Sequence, residues 1–169
     1  MRFKQLLIAG LLIGWSWIFG LSSSALASIH TYPEQNQQTL YRSRLSAPDN
    51  EHQAWQIILF KRVQAGQVKA FQLRLVGFPG QVELSHPASL LLEDSHNHTW
   101  DIKDITAEDP QIAPVQSSVG QYNMMDFMGE LTQAQRLDIE IPLNQSQTRR
   151  LTVPQSMVRE WLSLKDIQD

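Results

Sequence analysis

The sequence predicts an α+β fold built mainly of antiparallel strands, with amino-terminal hairpins and a meander followed by two helices in the carboxyl-terminal half. Apolar and polar residues alternate through 71–75 and again through 137–141, which is the periodicity of strands with one wetter face. Apolar residues recur at i, i+3, i+4 and i+7 from Met124 to Leu131, which predicts a helix. Strand patterns therefore come first along the chain, and helical patterns follow.

The amino terminus has the layout of a secretory signal peptide. Two basic residues precede an uncharged run of 16 residues from Leu6 to Leu21, and Ala25-Leu26-Ala27 supplies the small residues of a cleavage site. A permanent anchor is the alternative, but a spanning helix needs about 20 apolar residues, and this run is shorter. We expect cleavage after Ala27, which leaves an exported chain that begins at Ser28 and has no stable membrane span.

The mature chain is predicted to be one mildly acidic domain. Loss of Arg2 and Lys4 lowers the number of basic residues from 14 to 12, against 17 acidic ones, and this balance argues against a nucleic-acid partner. There is no cysteine, which excludes disulfides, thiolate metal sites and cysteine nucleophiles. We expect a polar lead-in over residues 28–38 and a single α+β domain over residues 39–166.

The first strand is expected at Thr39–Leu45, with Arg42 and Arg44 on one face. Runs rich in branched and aromatic residues on either side of Ala65-Gly66 then predict a hairpin. A two-residue turn at that point pairs Phe60 with Phe71, and it pairs Ile58 with Leu73. This register would gather the apolar residues on one face.

Shorter patterns complete the expected order of elements. Strands are expected at 81–84, 89–93 and 99–102, and a proline-containing surface loop is expected at 103–118. The alternating segment 137–141 is expected to pair with 150–153. Pro154 suits the first turn of a closing helix.

The densest polar cluster, "EDSHNHTWDIKD", is a candidate metal site. Two histidines two residues apart on a strand share a face, so His96 and His98 with Asp101 are candidate ligands. The alternative is an ordinary polar hairpin tip, because Asp, Ser, Asn and His are common turn residues. No H-E-x-x-H and no calcium-loop spacing supports the metal hypothesis.

Basic residues concentrate in the amino-terminal strands and acidic residues lie later, which raises the hypothesis of a molecule with oppositely charged sides. The alternative is an ordinary mixed surface on solvated strands. If a contact surface exists, the candidate residues are Arg42, Arg44 and Arg74, together with Phe78 between the two glycines of "GFPG".

The words "IHTYPE", "LYRSRLSA", "QAWQIILFKR" and "LRLVGFPG" resemble a family of exported cyanobacterial proteins known only as a domain of unknown function. The resemblance extends from about His30 through "VPQSMVREW", which is nearly the whole mature chain. It implies a cyanobacterial host and a location in the periplasm or thylakoid lumen. It implies no activity, cofactor or site residue.

The sequence contains no serine-hydrolase elbow and no phosphate-binding glycine loop, so it predicts no cofactor and gives no positive sign of an enzyme. The leading hypothesis is a binding or accessory protein with a protein partner at a membrane complex. A small-molecule carrier with an apolar cavity is the alternative, and a hydrolase of undescribed type is the third. The oligomeric state is left open.

Overall fold

The structure is a computed structural model that describes residues 29–34, 37–110, 112 and 117–168. The predicted signal peptide lies outside the described residues. The strands, in chain order, are β1 (His30–Glu34), β2 (Gln38–Pro48), β3 (Ala54–Gln64), β4 (Gln67–Val76), β5 (Leu90–Asp94), β6 (Thr99–Ile102), β7 (Val119–Asn123), β8 (Leu137–Leu143) and β9 (Gln147–Val153). The helices are α1 (Met125–Glu130) and α2 (Gln155–Asp166), so the expected α+β class is confirmed.

The strands form two antiparallel sheets around one core. The first sheet has the order β1-β2-β3-β4-β7, and the second has the order β6-β5-β8-β9. Isolated β-bridges pair Asp49 with Leu151 and Asp104 with Tyr122, and they connect the two sheets at two places. Inward side chains of both sheets belong to one apolar cluster, so the other faces of the sheets point away from this common core.

Large side chains fill the space between the sheets. Trp55, Tyr122 and Trp161 are each at most 1% exposed and lie in the shared core. Aromatic side chains of this size contribute strongly to core packing because each buries a large apolar area. This packing gives the apolar-cavity hypothesis no support in the described part of the chain.

The register expected for the β3–β4 hairpin is correct at the turn and wrong beyond it. Ala65 and Gly66 form the two-residue turn, and both have the positive φ angles that such turns require. An irregularity then places Lys69 as an extra residue in β4 and shifts every later pair by one position. Because side chains alternate between faces, the shift reverses which residues point inward.

The consequences of this shift are specific. Lys61, and not Phe60, lies opposite Phe71, while Leu59 lies opposite Leu73. Lys61, Phe71 and Leu73 therefore share the inward face, and Ile58 and Phe60 point outward. The four residues that were expected to form one apolar face are divided between the two faces of the sheet.

Helix α2 packs its apolar side on the first sheet, and Lys61 caps its end. Met157, Val158, Trp161 and Leu164 are the buried residues of the helix. The Lys61 ammonium donates hydrogen bonds to the carbonyl oxygens of Leu164, Lys165 and Ile167 at 3.1, 2.7 and 2.6 Å. The last carbonyls of a helix have no partner within it, so a buried cation is stabilising there.

Several other expectations have clear outcomes. The helix expected from Met124 to Leu131 is confirmed as α1 with those two residues buried at its ends, and β8 pairs with β9 as expected. The predicted strand at 81–84 is wrong: it is reduced to one bridge from Leu84. Strand β1 lies within the segment expected to be a polar lead-in, and β7 was not predicted. Within the described ranges, no helix is long and apolar enough to cross a membrane.

Replacing Lys61 with methionine tests whether its ammonium holds the end of α2. We expect Lys61→Met to lower the free energy of unfolding by about 1.5–3 kcal/mol, because hydrogen bonds from a charged group to helix carbonyls are lost. Urea unfolding followed by circular dichroism measures this change.

Lys103→Met is the matched control, since Lys103 is exposed and lies outside the β3–β4 hairpin. We expect it to change the free energy of unfolding by less than about 0.5 kcal/mol. Equal effects of the two substitutions would contradict the proposed role of Lys61.

Candidate functional site

Four arginines lie on the outward face of the first sheet, which we call the arginine face. They are Arg42 and Arg44 on β2, Arg62 on β3 and Arg74 on β4. Strand pairing brings them together, because Arg44 is opposite Ile58 and Ile58 is opposite Arg74. The structure thus places the predicted residues Arg42, Arg44 and Arg74 on one surface.

Two of these arginines are paired within the chain. Arg74 Nη2 lies 2.7 Å from Asp109 Oδ2, and the same guanidinium donates to Gln121 Oε1 at 2.6 and 2.9 Å. Burial lowers the pKa of Arg74, and the Asp109 carboxylate opposes that change. Arg62 Nε lies 3.3 Å from Glu34 Oε2. The positive charges of Arg62 and Arg74 are therefore largely compensated.

The other two arginines carry the uncompensated charge. Arg42 donates to the Tyr32 hydroxyl at 2.6 Å, and its guanidinium carbon lies 4.8 Å from the centre of the Tyr32 ring. Arg44 is exposed. No carboxylate of the described residues forms an ion pair with either side chain. The free positive charge of this face thus lies on β2.

Phe78 lies just beyond the end of β4 and is 59% exposed. Its carbonyl accepts the backbone N–H groups of Gln81 and Val82, which closes the turn. A Cβ atom on Gly77 would collide with the Val82 side chain and lie unusually close to the Trp55 ring, so the site favours glycine before Phe78. The turn therefore holds an exposed aromatic ring after the strand that carries Arg74.

The outward face of the second sheet carries the opposite charge, and we call it the acidic face. Its carboxylates are Glu93 on β5, Asp101 on β6, and Asp138 and Glu140 on β8. Arg150 on β9 lies 3.8 Å from Glu93 and 4.0 Å from Glu140. Because the two sheets share one core, the arginine face and the acidic face lie on opposite sides of the molecule.

A buried carboxylate organises the β5–β6 turn. Asp94 Oδ1 accepts the backbone N–H groups of His96 and His98 at 2.7 and 2.9 Å. Burial alone would raise the pKa of Asp94, but hydrogen bonds from His98, His96 and Gln135 lower it to about 2. The Asp94 side chain is therefore an anion at neutral pH.

The same carboxylate lies near both histidine rings. Asp94 Oδ2 is 3.1 Å from His98 Nδ1 and 3.8 Å from His96 Nδ1, and it accepts a hydrogen bond from Gln135 Nε2 at 3.0 Å. The side chain of His96 is 62% exposed and that of His98 is 73% exposed, and the centres of the two rings are 6.2 Å apart.

A polar pocket of about 390 Å³ adjoins the turn and is lined by Glu93, Asp94, Ser95, Asn97, Arg136, Asp138 and Arg150.

The third predicted ligand, Asp101, lies elsewhere. It pairs with Leu91 and is exposed on the acidic face. Among residues 29–34, 37–110, 112 and 117–168, no three His, Cys, Asp or Glu side chains are grouped to hold a metal ion. Sequence reasoning missed Asp94 as the partner of the histidines, although Asp followed by small polar residues is a recognisable turn signal.

The sequence of the chain is related to a known protein family. Residues 27–164 match the family described as "Protein of unknown function (DUF3122)". The chain belongs to this family. No curated protein and no solved structure matches the chain significantly. Membership in DUF3122 is consistent with the resemblance seen in the sequence, and it assigns no role to any residue.

Replacing Asp94 with asparagine tests whether its negative charge stabilises the turn. An amide nitrogen would face the donors Gln135 Nε2 and His98 Nδ1, so we expect Asp94→Asn to lower the urea midpoint at pH 7. The folded-state pKa is depressed below the unfolded value of about 3.9, so the stabilisation is present above that pH and disappears as the pH falls toward 2. The difference in urea midpoint between Asp94→Asn and the parent protein should therefore become smaller as the pH falls from about 3.9 toward 2.

Asp101→Asn is the control, because Asp101 is exposed on the neighbouring strand. We expect this variant to follow the parent protein at every pH. A pH-independent difference between Asp94→Asn and the parent protein would show that the carboxylate charge is not the stabilising feature.

Proposed function

We propose that this protein is an exported, non-enzymatic accessory protein that binds an acidic surface of a protein partner at a membrane complex. The contact surface is the arginine face. The observation that carries this proposal is the separation of charge: one outward face has four arginines, and the opposite one has four carboxylates, three of which lie within 4.0 Å of Arg136 or Arg150. Charge separation of this kind orients a protein as it approaches a charged partner.

The distribution of ion pairs identifies the part of the face that contacts the partner. Within the part of the chain that the structure describes, Arg62 and Arg74 already have carboxylate partners, whereas Arg42 and Arg44 have none. A guanidinium presents a planar fork of donors, so each of these two side chains fits a carboxylate of another protein in bidentate geometry. Arg42 is also held in position by Tyr32. The part of the arginine face that lies on β2 is therefore the centre of the proposed contact.

The apolar parts of the face support recognition by a protein. Phe60 points outward but is only 8% exposed, because the guanidinium groups of Arg62 and Arg74 lie 6.0 and 5.1 Å from its ring centre. Phe78 adds an exposed ring beyond β4. Aromatic and arginine side chains are enriched at energetically important positions of protein interfaces. Export is supported by the signal-peptide pattern in the sequence.

A site-specific cross-link tests the contact surface. Because the chain has no cysteine, one engineered cysteine directs a photo-cross-linker to a chosen position. We expect Ser46→Cys, exposed two residues beyond Arg44, to yield one reproducible cross-linked partner in gently solubilised host membranes. The yield should fall with rising salt and should be lost in the Arg42→Gln, Arg44→Gln double variant, because exposed charges are screened over about 8 Å at physiological ionic strength.

Thr148→Cys is the control position, since Thr148 is exposed on β9 of the second sheet. Arg136→Gln, Arg150→Gln is the control for net charge, because it removes two positive charges from the opposite side of the molecule. We expect no partner from position 148 and full cross-linking from position 46 in the control variant. An unchanged yield in the Arg42→Gln, Arg44→Gln variant would contradict the proposed surface.

Export predicts a defined mature end. The full chain expressed in its host should yield a protein that begins at Ser28, because the small residues Ala25 and Ala27 fit the specificity of signal peptidase. Intact-mass measurement after fractionation checks this expectation. A protein that retains Met1 in the cytoplasmic fraction would contradict export.

A further inference from the structure

The β5–β6 turn carries a hydrogen-bond arrangement that fixes the protons on its two histidines. An ionised carboxylate accepts hydrogen bonds and donates none. His98 Nδ1 lies 3.1 Å from Asp94 Oδ2, so Nδ1 of His98 carries the proton. When this ring is neutral, its Nε2 atom has a free lone pair.

A second chain of hydrogen bonds reaches His96 through Gln135. Gln135 Nε2 donates to Asp94, which orients the amide and makes its Oε1 atom the acceptor for the Ser95 hydroxyl at 3.0 Å. The only proton of that hydroxyl is then used, so Ser95 Oγ accepts from His96 Nδ1 at 3.4 Å. His96 Nδ1 also faces Asp94 Oδ2 at 3.8 Å. Nε2 of His96 is therefore the second free lone pair.

We propose that the β5–β6 turn binds a divalent transition-metal ion through the Nε2 atoms of His96 and His98, with Cu²⁺ bound more tightly than Zn²⁺. Metal-binding histidines commonly donate their other ring N–H to a carboxylate or another acceptor, which fixes the ring and raises the basicity of the ligand. Asp94 has this positioning role and is not itself a ligand, because its oxygens are occupied by the turn.

The spacing of the rings suits a shared ion. Metal–imidazole bonds of about 2.0–2.1 Å place two ligating nitrogens at most about 4 Å apart. The ring centres are 6.2 Å apart with 31° between the ring planes, so a shared ion requires the two side chains to rotate and bring their Nε2 atoms together while Nδ1 stays directed at Asp94 and Ser95. Both rings are mostly exposed, which leaves room for these rotations and for water molecules at the other coordination positions. Neutral imidazole suits Cu²⁺ and Zn²⁺, and the affinity order of such ions favours Cu²⁺.

Titration of the purified His30→Gln protein with Cu²⁺ alone tests this site, because the expected mature amino terminus, Ser28-Ile29-His30, would itself bind Cu²⁺ through its amino group, backbone nitrogens and imidazole. Calorimetry should show one site, and electron paramagnetic resonance should show splitting from two ring nitrogens. We expect His96→Gln and His98→Gln each to weaken binding by more than about tenfold and to reduce the signature to one nitrogen. His52→Gln is the matched control, because His52 is exposed in another turn and should leave binding unchanged.

The hydrogen bonds of Asp94, Ser95 and Gln135 that orient the two histidine rings can be tested by a separate measurement. In the metal-free protein, long-range proton–nitrogen NMR should show Nδ1–H on both rings when they are neutral. Gln135→Leu should produce a mixture of Nδ1–H and Nε2–H forms of the neutral His96 ring, and it should weaken Cu²⁺ binding about tenfold. His98 should keep its proton on Nδ1. Absence of Cu²⁺ binding, binding that persists when both histidines are replaced, or Nε2–H rings in the metal-free protein would each overturn the proposal. These results are independent of the cross-linking test of the arginine face.

Discussion

The one-residue register shift in the β3–β4 hairpin determines how the first sheet uses its charged residues. With the extra residue at Lys69, Lys61 points into the molecule and Phe60 points outward. The inward ammonium would be costly without partners, and the carbonyl end of α2 supplies three acceptors. The hairpin thus specifies where the carboxyl-terminal helix ends, more than 100 residues later in the chain.

The same shift produces the arginine face. Once Phe60 is outward, the guanidinium groups of Arg62 and Arg74 cover its ring and reduce its contact with water. Arg74 is held in turn by Asp109, from the segment that follows β6. The face combines apolar contact with directed charge, while the second sheet places its carboxylates on the far side of the common core. Export, the acidic protein partner and metal capture at the β5–β6 turn are proposals built on this arrangement.

Sequence patterns predicted the elements whose signals are local. The alternation in β8 and the helical spacing of α1 each follow from which residues must be buried, so both were recognised. The bulge at Lys69 has no comparable signal, because a two-residue turn fits the sequence equally well with a regular ladder beyond it. Strand β7 was missed because "VGQYN" has a glycine and three polar or amphipathic residues, and its burial comes from distant segments.

In the candidate sites, too, local features were predicted from the sequence and long-range contacts were not. Arg42 and Arg44 were placed on one face correctly, since residues two apart on a strand share a side. The partner of Arg74 lies 35 residues away, so no local pattern indicates that its charge is compensated. The histidines were recognised as a pair, but the contribution of Gln135 lies 41 residues beyond Asp94. Contacts of this range depend on the tertiary fold, and spacing along the chain does not reveal them.

The most direct measurement of the register is a set of interstrand proton contacts in an NMR spectrum of the isotopically labelled protein. The account predicts contacts that pair Lys61 with Phe71 and Leu59 with Leu73, together with contacts from the Lys61 side chain to the end of α2. Contacts that pair Phe60 with Phe71 and Ile58 with Leu73 would show a regular ladder. That result would turn Lys61 outward and contradict both the helix cap and the composition of the arginine face.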